Sequence, residues 1–404
     1  MIDYSRFISK VASNIKASEI RELLAIIRGR KDVISFAGGI PDPALFPRKE
    51  LAKIAGIVIE KYGDDALQYS ETKGIIEVRE TLSDFLARKR EIHADAEDII
   101  ITSGSQSALD IVSRALIDPG DIVITESPSY LAALGAFKMN GAKLIGVKID
   151  ENGMRTELLE EKLKQLGDDV KKVKFIYVIP VGQNPAGTTM NKERKKHLLE
   201  IASKYDLLIL EDDPYSYIIY EEGAETASLK SLDKEGRVMY MSTVSKILAP
   251  GLRIGWIVAE KELIRRFEIV KQYVDLHSPT LNQFIVAEAI KTGLIDDVVQ
   301  KAIPYYKAKR NTMLEAIKEN FPDYVWYSKP IGGLFVFAYV YKNGFNAGML
   351  LEKAVKQYKV AYVPGGSFHP EGDGVNGMRL NFSYPTHEQI REGIARLAKL
   401  IRES

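Results

Sequence analysis

The sequence predicts an α/β fold in which helices cover both faces of a mostly parallel sheet. Between about residues 98 and 260, short apolar runs alternate with longer amphipathic segments; the runs are DIIIT, DIVIT, KFIYVI, DLLIL, RVMYM and RIGWIVA. Continuous apolar runs of this length are typical of strands buried on both faces. Parallel strands also require helical crossovers, and the segment KERKKHLLEIASKY has the apolar spacing of one. We therefore predict a doubly wound domain.

Two helices are predicted outside this alternating region. The segment RKELAKIAGIVIEKYG has one apolar face, which we expect to pack on the core: Leu51, Ile54, Ala55, Val58, Ile59 and Tyr62. Near the end of the chain, Thr386 and Gln389 have the spacing of a capping box. The helix that this box begins should bury four apolar residues: Ile390, Ile394, Leu397 and Ile401.

The chain is too long for one ordinary core, because it has 404 residues. The proline-rich stretch GIPDPALFP predicts a linker that follows an N-terminal helix. After about residue 290, the strand-like segments GGLFVFAYV, KVAYVPG and MRLNFSY predict a second, α+β domain. We predict an N-terminal segment at 1–47, a large domain at 48–290 and a small C-terminal domain at 291–404.

Composition excludes several classes of function. The net charge is +1, so the chain lacks the positive field that attracts nucleic acid. No apolar run approaches the roughly 20 residues that span a bilayer, and the start MIDYSRFISK has no signal-peptide pattern. The five histidines lack metal-ligand spacing and cysteine is absent. We expect a cytoplasmic protein that needs no metal, nucleic acid or membrane.

Polar side chains follow five of the predicted strands, where ligands collect in open α/β sheets. These positions are Gly104-Ser105-Gln106, Tyr130, Asn184, Asp212 and Lys246. Tyr215 lies just beyond Asp212, and Arg253 follows Lys246 in the segment SKILAPGLRIGW. Each position alone carries little information. Together they predict one site at the carboxyl edge of the sheet.

The residue types at this edge match the four polar ends of pyridoxal 5′-phosphate (PLP). The amine of Lys246 would bind the aldehyde covalently, and the Asp212 carboxylate would face the pyridine nitrogen and keep it protonated. The phenol of Tyr215 would bond the ring hydroxyl. Arg253 would bind the phosphate, since a guanidinium offers a forked partner to a dianion. The sequence therefore predicts a PLP enzyme.

A phosphate-binding helix start is predicted at Gly104-Ser105-Gln106, because the backbone N–H groups that open SALDIVSRAL are free to bind an anion. Thr243 and Ser245 would complete this cup together with Arg253. Two alternatives remain open from the residues alone. Ser105 could be an ordinary helix N-cap, and Arg253 could form a surface salt bridge.

Eight ordered segments resemble one family, the class I/II aminotransferases of PLP fold type I. They are ASEIRELL, FAGGIPDPALFP, ALQYSETKG, TSGSQSALD, GQNPAGT, EDDPY, SKILAPGLRIGW and GMRLNFSY, and they cover nearly the whole chain. Within this family, the chain is most similar to the branch of multisubstrate aromatic, 2-aminoadipate and kynurenine aminotransferases. The resemblance implies that the N-terminal segment joins the C-terminal region as one small domain.

The resemblance also implies roles for individual residues around the cofactor. The family's Asp-x-x-Tyr spacing selects Asp212 with Tyr215 and leaves the neighbouring Asp213 as a structural residue. Asn184 would bond the ring hydroxyl together with Tyr215, and Tyr130 would stack on the ring. Tyr69 would reach the phosphate of a neighbouring subunit, which implies a homodimer.

The substrate-binding residues rest on the same resemblance. Arg379 matches the position that binds the substrate α-carboxylate, and the backbone at Gly39 would lie along the substrate. Ser18 and Arg21 resemble positions that meet a distal carboxylate in the 2-aminoadipate branch. A solvated surface role for Arg21 is an equally simple reading.

The expected function is transfer of an amino group from a 2-aminoadipate, aromatic, kynurenine or aliphatic donor to 2-oxoglutarate. The two half-reactions would share one site in a ping-pong mechanism. Two alternatives stay open, because a fold does not decide a reaction. One is a PLP-dependent lyase or decarboxylase, and the other is a non-enzymatic effector-sensing domain. Because every expected catalytic position is filled, the sensor is the weaker alternative.

Overall fold

The computed structural model of the chain describes residues 2–14, 29–30 and 32–404. An α/β architecture with a mostly parallel sheet is confirmed. The strands are β1 Ile34–Ser35, β2 Ile99–Thr102, β3 Ile122–Ser127, β4 Lys143–Asp150, β5 Gly153–Met154, β6 Val173–Val178, β7 Leu208–Asp212, β8 Val238–Thr243, β9 Gly255–Val258, β10 Val325–Tyr327, β11 Phe335–Val340, β12 Val360–Ala361, β13 Val363–Pro364 and β14 Gly377–Asn381.

The α-helices connect and cover these strands. They are α1 Lys10–Asn14, α2 Arg48–Ala66, α3 Ile76–Arg90, α4 Ser105–Leu116, α5 Leu131–Met139, α6 Thr156–Leu166, α7 Lys192–Lys204, α8 Leu229–Leu232, α9 Lys261–Gln272, α10 Thr280–Lys291, α11 Leu294–Asn320, α12 Ala347–Lys353 and α13 His387–Arg402. Within the described part of the chain, no helix is long and apolar enough to cross a membrane.

The large sheet has the strand order β2-β9-β8-β7-β6-β3-β4-β5. All six predicted apolar runs form strands of this sheet, and five neighbouring strands, in the order β4-β3-β6-β7-β8, run parallel. Strand β9 is antiparallel to both of its neighbours. Only short 3₁₀ turns separate β8 from β9, so no helix is available to carry a parallel crossover. Strand β4 was not predicted, because its exposed lysines interrupt the apolar pattern.

The second sheet is antiparallel, in the order β10-β11-β14-β13. Strand β1 from the N-terminal segment pairs with β12 in a two-stranded parallel sheet. The N–H of Asn381 also donates to the carbonyl of Phe36 at 2.9 Å. These hydrogen bonds tie residues 34–36 to the C-terminal region, whereas the domain boundaries stay a prediction.

The predicted capping box is confirmed at the start of α13. The N–H of Gln389 donates to the hydroxyl of Thr386, and the N–H of Thr386 donates to the side chain of Gln389. The four apolar residues predicted to face inward on α13 are fully buried. On α2 the prediction is wrong for Ile59, which is 45% exposed, because it lies off the stripe of Ile54 and Val58 that packs on the core.

Candidate active site

Parallel strands β3, β6, β7 and β8 end at the same edge of the large sheet, and the predicted polar residues lie at or just beyond these ends. Arg379 reaches the same region from β14 of the second sheet, where it contacts Asn184. Residues 37–39 contribute backbone carbonyls to the cluster. The structure therefore brings most of the predicted site together.

Lys246 ends a 3₁₀ turn that directly follows β8. Its Nζ donates to the carbonyl of Gly39 at 2.8 Å and lies 6.0 Å from the centroid of the Tyr215 ring. The pKa of Lys246 is lowered to about 8, mainly by burial and also by the positive charges of Arg379 and Arg253, whereas Asp212 opposes the shift. A lowered pKa increases the neutral fraction of the amine, which is the form that can attack an aldehyde.

Asp212 ends β7 and is buried. One carboxylate oxygen, Oδ2, accepts a hydrogen bond from the Tyr177 hydroxyl at 2.7 Å, whereas Oδ1 has no partner among the described residues. Burial raises the pKa of Asp212 to about 7, and nearby Asp213 and Glu211 add to this effect. An unpartnered buried carboxylate oxygen fits the protonated ring nitrogen of PLP, which would supply the missing partner.

Asp213 has the surroundings of a structural residue, in agreement with the prediction. Its carboxylate accepts from Arg90 Nε at 3.1 Å, from the Ser216 hydroxyl at 2.7 Å and from the Tyr240 hydroxyl at 3.0 Å. Both charged side chains of the Arg90–Asp213 pair are buried. Its Oδ1 accepts from the N–H of Ser216 at 3.1 Å, so both oxygens are held by the fold.

The predicted phosphate cup forms where β2 leads into α4. Gly104, with φ at 78°, is the N-cap of α4, so the alternative that Ser105 is the N-cap is wrong. The hydroxyls of Ser105 and Ser107 are buried and lack partners within the described part of the chain. A Cβ at Gly104 would lie 2.4 Å from Arg253 Nη2, so only glycine allows the guanidinium this close. The unpartnered hydroxyls and this close approach fit a phosphate.

The remaining members of the cup differ in exposure. Thr243 and Ser245 are buried, and their hydroxyl oxygens lie 2.8 Å apart. Arg253 is exposed and donates to the carbonyl of Ser103 at 2.9 Å, and it forms no salt bridge with a described carboxylate. Gln106 is exposed on the first turn of α4. Arg253 thus retains donors for an incoming anion.

Arg379 is a buried cation with no carboxylate partner among the described residues. It donates to Asn184 Oδ1 at 3.0 Å and to the carbonyls of Ala37 and Gly38 at 3.1 Å each. Its guanidinium carbon lies 4.3 Å from the centroid of the Phe335 ring. Burial lowers the pKa of Arg379 to about 10, so it stays charged at neutral pH. A carboxylate ligand would neutralise this charge.

The three predicted tyrosines lie in different settings. Tyr215 is buried, its ring meets that of Phe335 edge-on, and burial raises its pKa well above the ordinary value. Tyr130 is half-buried at the start of α5. Tyr69 is 79% exposed and meets His277 edge-on at 5.8 Å. Ser18 and Arg21 lie outside the described residues.

Sequence reasoning missed three contacts of this site. Tyr177 donates a hydrogen bond to Asp212, and Phe335 packs on Arg379. Ser107 adds a second hydroxyl without a partner among the described residues. Tyr177 supplies the only hydroxyl in the run KFIYVI, which was a usable signal. Phe335 gave no such signal, because its contact depends on the register between β11 and β14, which lie far apart in the sequence.

Comparison with known proteins decides the family. Residues 31–397 match the model of the family described as "Aminotransferase class I and II". The chain belongs to this family. It is 48% identical to aromatic-amino-acid aminotransferase 1 of Thermococcus litoralis, over 100% of this chain and 95% of the relative. It is 36% identical to 2-aminoadipate transaminase of Thermus thermophilus, over 99% of this chain and 98% of the relative.

A solved structure gives the same result. The crystal structure of Pyrococcus horikoshii kynurenine aminotransferase, in complex with PMP, superposes with a TM-score of 0.95 at 46% identity, covering 99% of this chain and 98% of that one. PLP fold type I is therefore confirmed. This aminotransferase uses PLP, and its substrates are amino acids and 2-oxo acids. The family finding favours transamination over the lyase, decarboxylase and sensor alternatives.

Asp212 predicts a pH-dependent stability of the cofactor-free aminotransferase. Its pKa is about 7 in the folded chain against an ordinary 3.8, so the folded chain retains a proton that the unfolded chain releases between these values. The contribution of this proton to the free energy of unfolding is fully present below about pH 4 and is lost as the pH rises through 7. Asp212→Asn removes the titration.

Calorimetry of the cofactor-free wild type and of the Asp212→Asn variant, from pH 5 to 7.5, tests this expectation. The melting temperature of the variant should rise relative to that of the wild type as the pH increases. Other titrating groups, such as Glu126, are present in both proteins and largely cancel in the difference. A constant difference in melting temperature would contradict the raised pKa of Asp212.

Proposed function

We propose that this aminotransferase accepts several amino donors and passes their amino group to 2-oxoglutarate by a ping-pong mechanism at one site. The observation that carries the site assignment is the convergence of three groups: the buried amine of Lys246, the Asp212 carboxylate and the Arg379 guanidinium. Among the described residues, Asp212 Oδ1 has no hydrogen-bond partner and Arg379 has no carboxylate partner. The range of donors is supported by relatives named for aromatic amino acids, 2-aminoadipate and kynurenine, each aligned over nearly the whole chain.

Each residue of the site has a defined task in this proposal. Arg379 binds the α-carboxylate and thereby orients the Cα–H bond of the substrate. Lys246 holds the cofactor between turnovers and, once displaced, carries the proton that leaves Cα. Asp212 supplies the negative charge that keeps the ring nitrogen protonated. Bound PLP supplies the electron sink for the bond that breaks at Cα.

The remaining predicted residues hold the cofactor in this proposal. Asn184 and Tyr215 form hydrogen bonds with the ring hydroxyl, and Tyr130 stacks on the ring. The phosphate is bound by the first turn of α4 and by surrounding side chains: Ser105, Gln106, Thr243, Ser245 and Arg253. The buried, unpartnered hydroxyl of Ser105 supports this assignment.

A spectroscopic experiment tests the function. Adding an amino donor to the holoenzyme, without an oxo acid, should change the visible absorption of the bound cofactor in a single turnover. Adding 2-oxoglutarate should then restore the original spectrum. Release of carbon dioxide or ammonia in place of this reversible change would contradict transamination. Repeating the first step with phenylalanine, kynurenine, 2-aminoadipate and leucine measures the range of donors.

Arg379→Lys should raise KM for the amino donor by about 10²-fold with a smaller change in kcat. A lysine keeps the charge but loses the forked geometry that orients a carboxylate. Steady-state kinetics with the amino donor measures the effect. An exposed arginine such as Arg265 provides the control, since Arg265→Lys should leave KM unchanged. An unchanged KM in Arg379→Lys would remove the proposed carboxylate-binding role.

We propose a homodimer whose sites are shared through Tyr69. Tyr69 is largely exposed and contacts His277. Leu67 lies close to Tyr69 in the sequence, and Tyr273 and Leu276 lie close to His277. These three apolar residues are also exposed. A surface of this type is typical of an interface.

Subunit mixing tests the shared site. Lys246→Ala and Tyr69→Ala homodimers should both be impaired, whereas random mixing should restore about a quarter of wild-type activity, since half of the dimers then contain one intact site. Sedimentation of the active enzyme provides a second measurement. Absence of restored activity in proven heterodimers, or an active monomer, would contradict the proposal.

Ser18 and Arg21 are proposed to meet a distal carboxylate of the donor, on the basis of their match to the 2-aminoadipate branch. If Arg21 has this role, Arg21→Ala should impair 2-aminoadipate far more than phenylalanine. Equal losses for both donors would exclude the role.

A further inference from the structure

Glu126 is a buried carboxyl group that the proposed mechanism does not use. It lies near the end of β3 and is 0% exposed. Its Oε2 accepts from the N–H of Ile179 and from Nε2 of Gln183, both at 3.1 Å. Among the described residues, no cation pairs with it and Oε1 has no hydrogen-bond partner. Burying a carboxyl group without a cation is unfavourable, so its presence indicates a specific role.

Gln183 extends this contact toward the candidate active site. Besides bonding Glu126, its Nε2 donates to the carbonyl of Pro128 at 2.8 Å, and its Oε1 accepts from the N–H of Ala186 at 2.8 Å. The N–H of Gln183 donates to the carbonyl of Thr188 at 2.9 Å, which closes the turn. The buried side-chain amide of Gln183 thus ties Ala186, in the turn that contains Asn184, to Glu126 and Pro128 at the end of β3.

Asn184 connects this turn to the substrate site. Its Oδ1 accepts from Arg379 Nη1 at 3.0 Å, and both side chains are buried. A shift of the turn would therefore move the hydrogen-bond partner that orients the guanidinium. We propose that Glu126 is a positioning residue, which acts through Gln183 to place Asn184 against Arg379. This inference rests on the proposed roles of Asn184 and Arg379.

The chemistry of the contact separates two substitutions. Glu126→Ala leaves the N–H of Ile179 and one N–H of the Gln183 amide without an acceptor in a buried place. Glu126→Gln keeps a carbonyl oxygen that can accept from both. A merely space-filling role would not distinguish a glutamine from an apolar side chain of similar size, so Glu126→Leu completes the set.

Kinetics in two backgrounds test the proposal. Glu126→Ala and Glu126→Leu should lower kcat/KM for the amino donor by about 10- to 100-fold, mainly through KM, because small misplacements of a positioning contact have effects of this size. Glu126→Gln should recover most of the loss. In an Asn184→Ala background, Glu126→Ala should change kcat/KM by less than about twofold, since coupled residues are non-additive.

Hydrogen–deuterium exchange of the cofactor-free protein gives a readout that does not depend on activity. Amides of residues 179–189 should exchange faster in Glu126→Ala than in the wild type, and Glu126→Gln should stay close to the wild type. Equal kinetic losses in both backgrounds, no loss in Glu126→Ala, or no rescue by Glu126→Gln would overturn the inference. A fully active Asn184→Ala would instead refute the proposed role of Asn184.

Discussion

Lys246→Ala should lower turnover by about 10⁴-fold or more, because proton transfer alone contributes up to about 10⁴ and the covalent link to PLP is lost as well. The variant should still fold, since the Lys246 side chain makes one hydrogen bond to the described part of the chain, to Gly39, and burial disfavours its charged form. Borohydride reduction of the wild-type holoenzyme, followed by peptide mapping, should place the cofactor on Lys246. The same treatment should leave the variant unlabelled.

A matched control comes from another buried lysine. Lys195 is fully buried, and its Nζ donates to the carbonyl of Ala227 at 2.7 Å, a residue that has no part in the proposed site. Lys195→Ala should lose stability and keep both the label on Lys246 and the absorption of bound PLP. Labelling of any residue other than Lys246 in the wild type would remove the assignment on which the proposed mechanism depends.

The buried strands of the large sheet could be predicted from the sequence, because they appear as continuous runs of apolar residues. Strands β2, β3, β6, β7, β8 and β9 are continuous apolar runs, so their burial is visible in the residue order. Strand β4 lies next to the sheet edge and carries exposed lysines, which hide it. The pairing of β1 with β12 joins residues more than 300 positions apart, and no local pattern specifies it.

The candidate site shows the same division. Asp212 and Lys246 were predictable because parallel strands end at one edge, so residues that follow different strands become neighbours. The contacts that hold them were not predictable, because Tyr177 reaches Asp212 across neighbouring strands, and Gln183 reaches Glu126 from the turn after β6, the strand beside β3. Such contacts depend on strand register, which the sequence leaves open when every strand is buried on both faces.

Asp212→Asn and Asp213→Asn should separate catalysis from stability at adjacent positions. Asp212→Asn removes the charge opposite the ring nitrogen, and we expect kcat/KM to fall by about 10²–10³-fold, the usual effect of losing one preorganised electrostatic contact. Its folding stability should hold or increase at neutral pH, because the carboxylate is buried with an unpartnered oxygen.

Asp213→Asn should have the opposite result. It leaves Arg90 as an unpaired charge in a buried place, which costs about 3–5 kcal/mol in comparable pairs. Denaturation of the two cofactor-free variants and kinetics of the two holoenzymes complete the comparison. Because the carboxylates lie on successive residues, general damage to this strand end would impair both variants alike. Opposite results for the two variants would therefore show that the Asp212 carboxylate binds the cofactor and that the Asp213 carboxylate stabilises the fold.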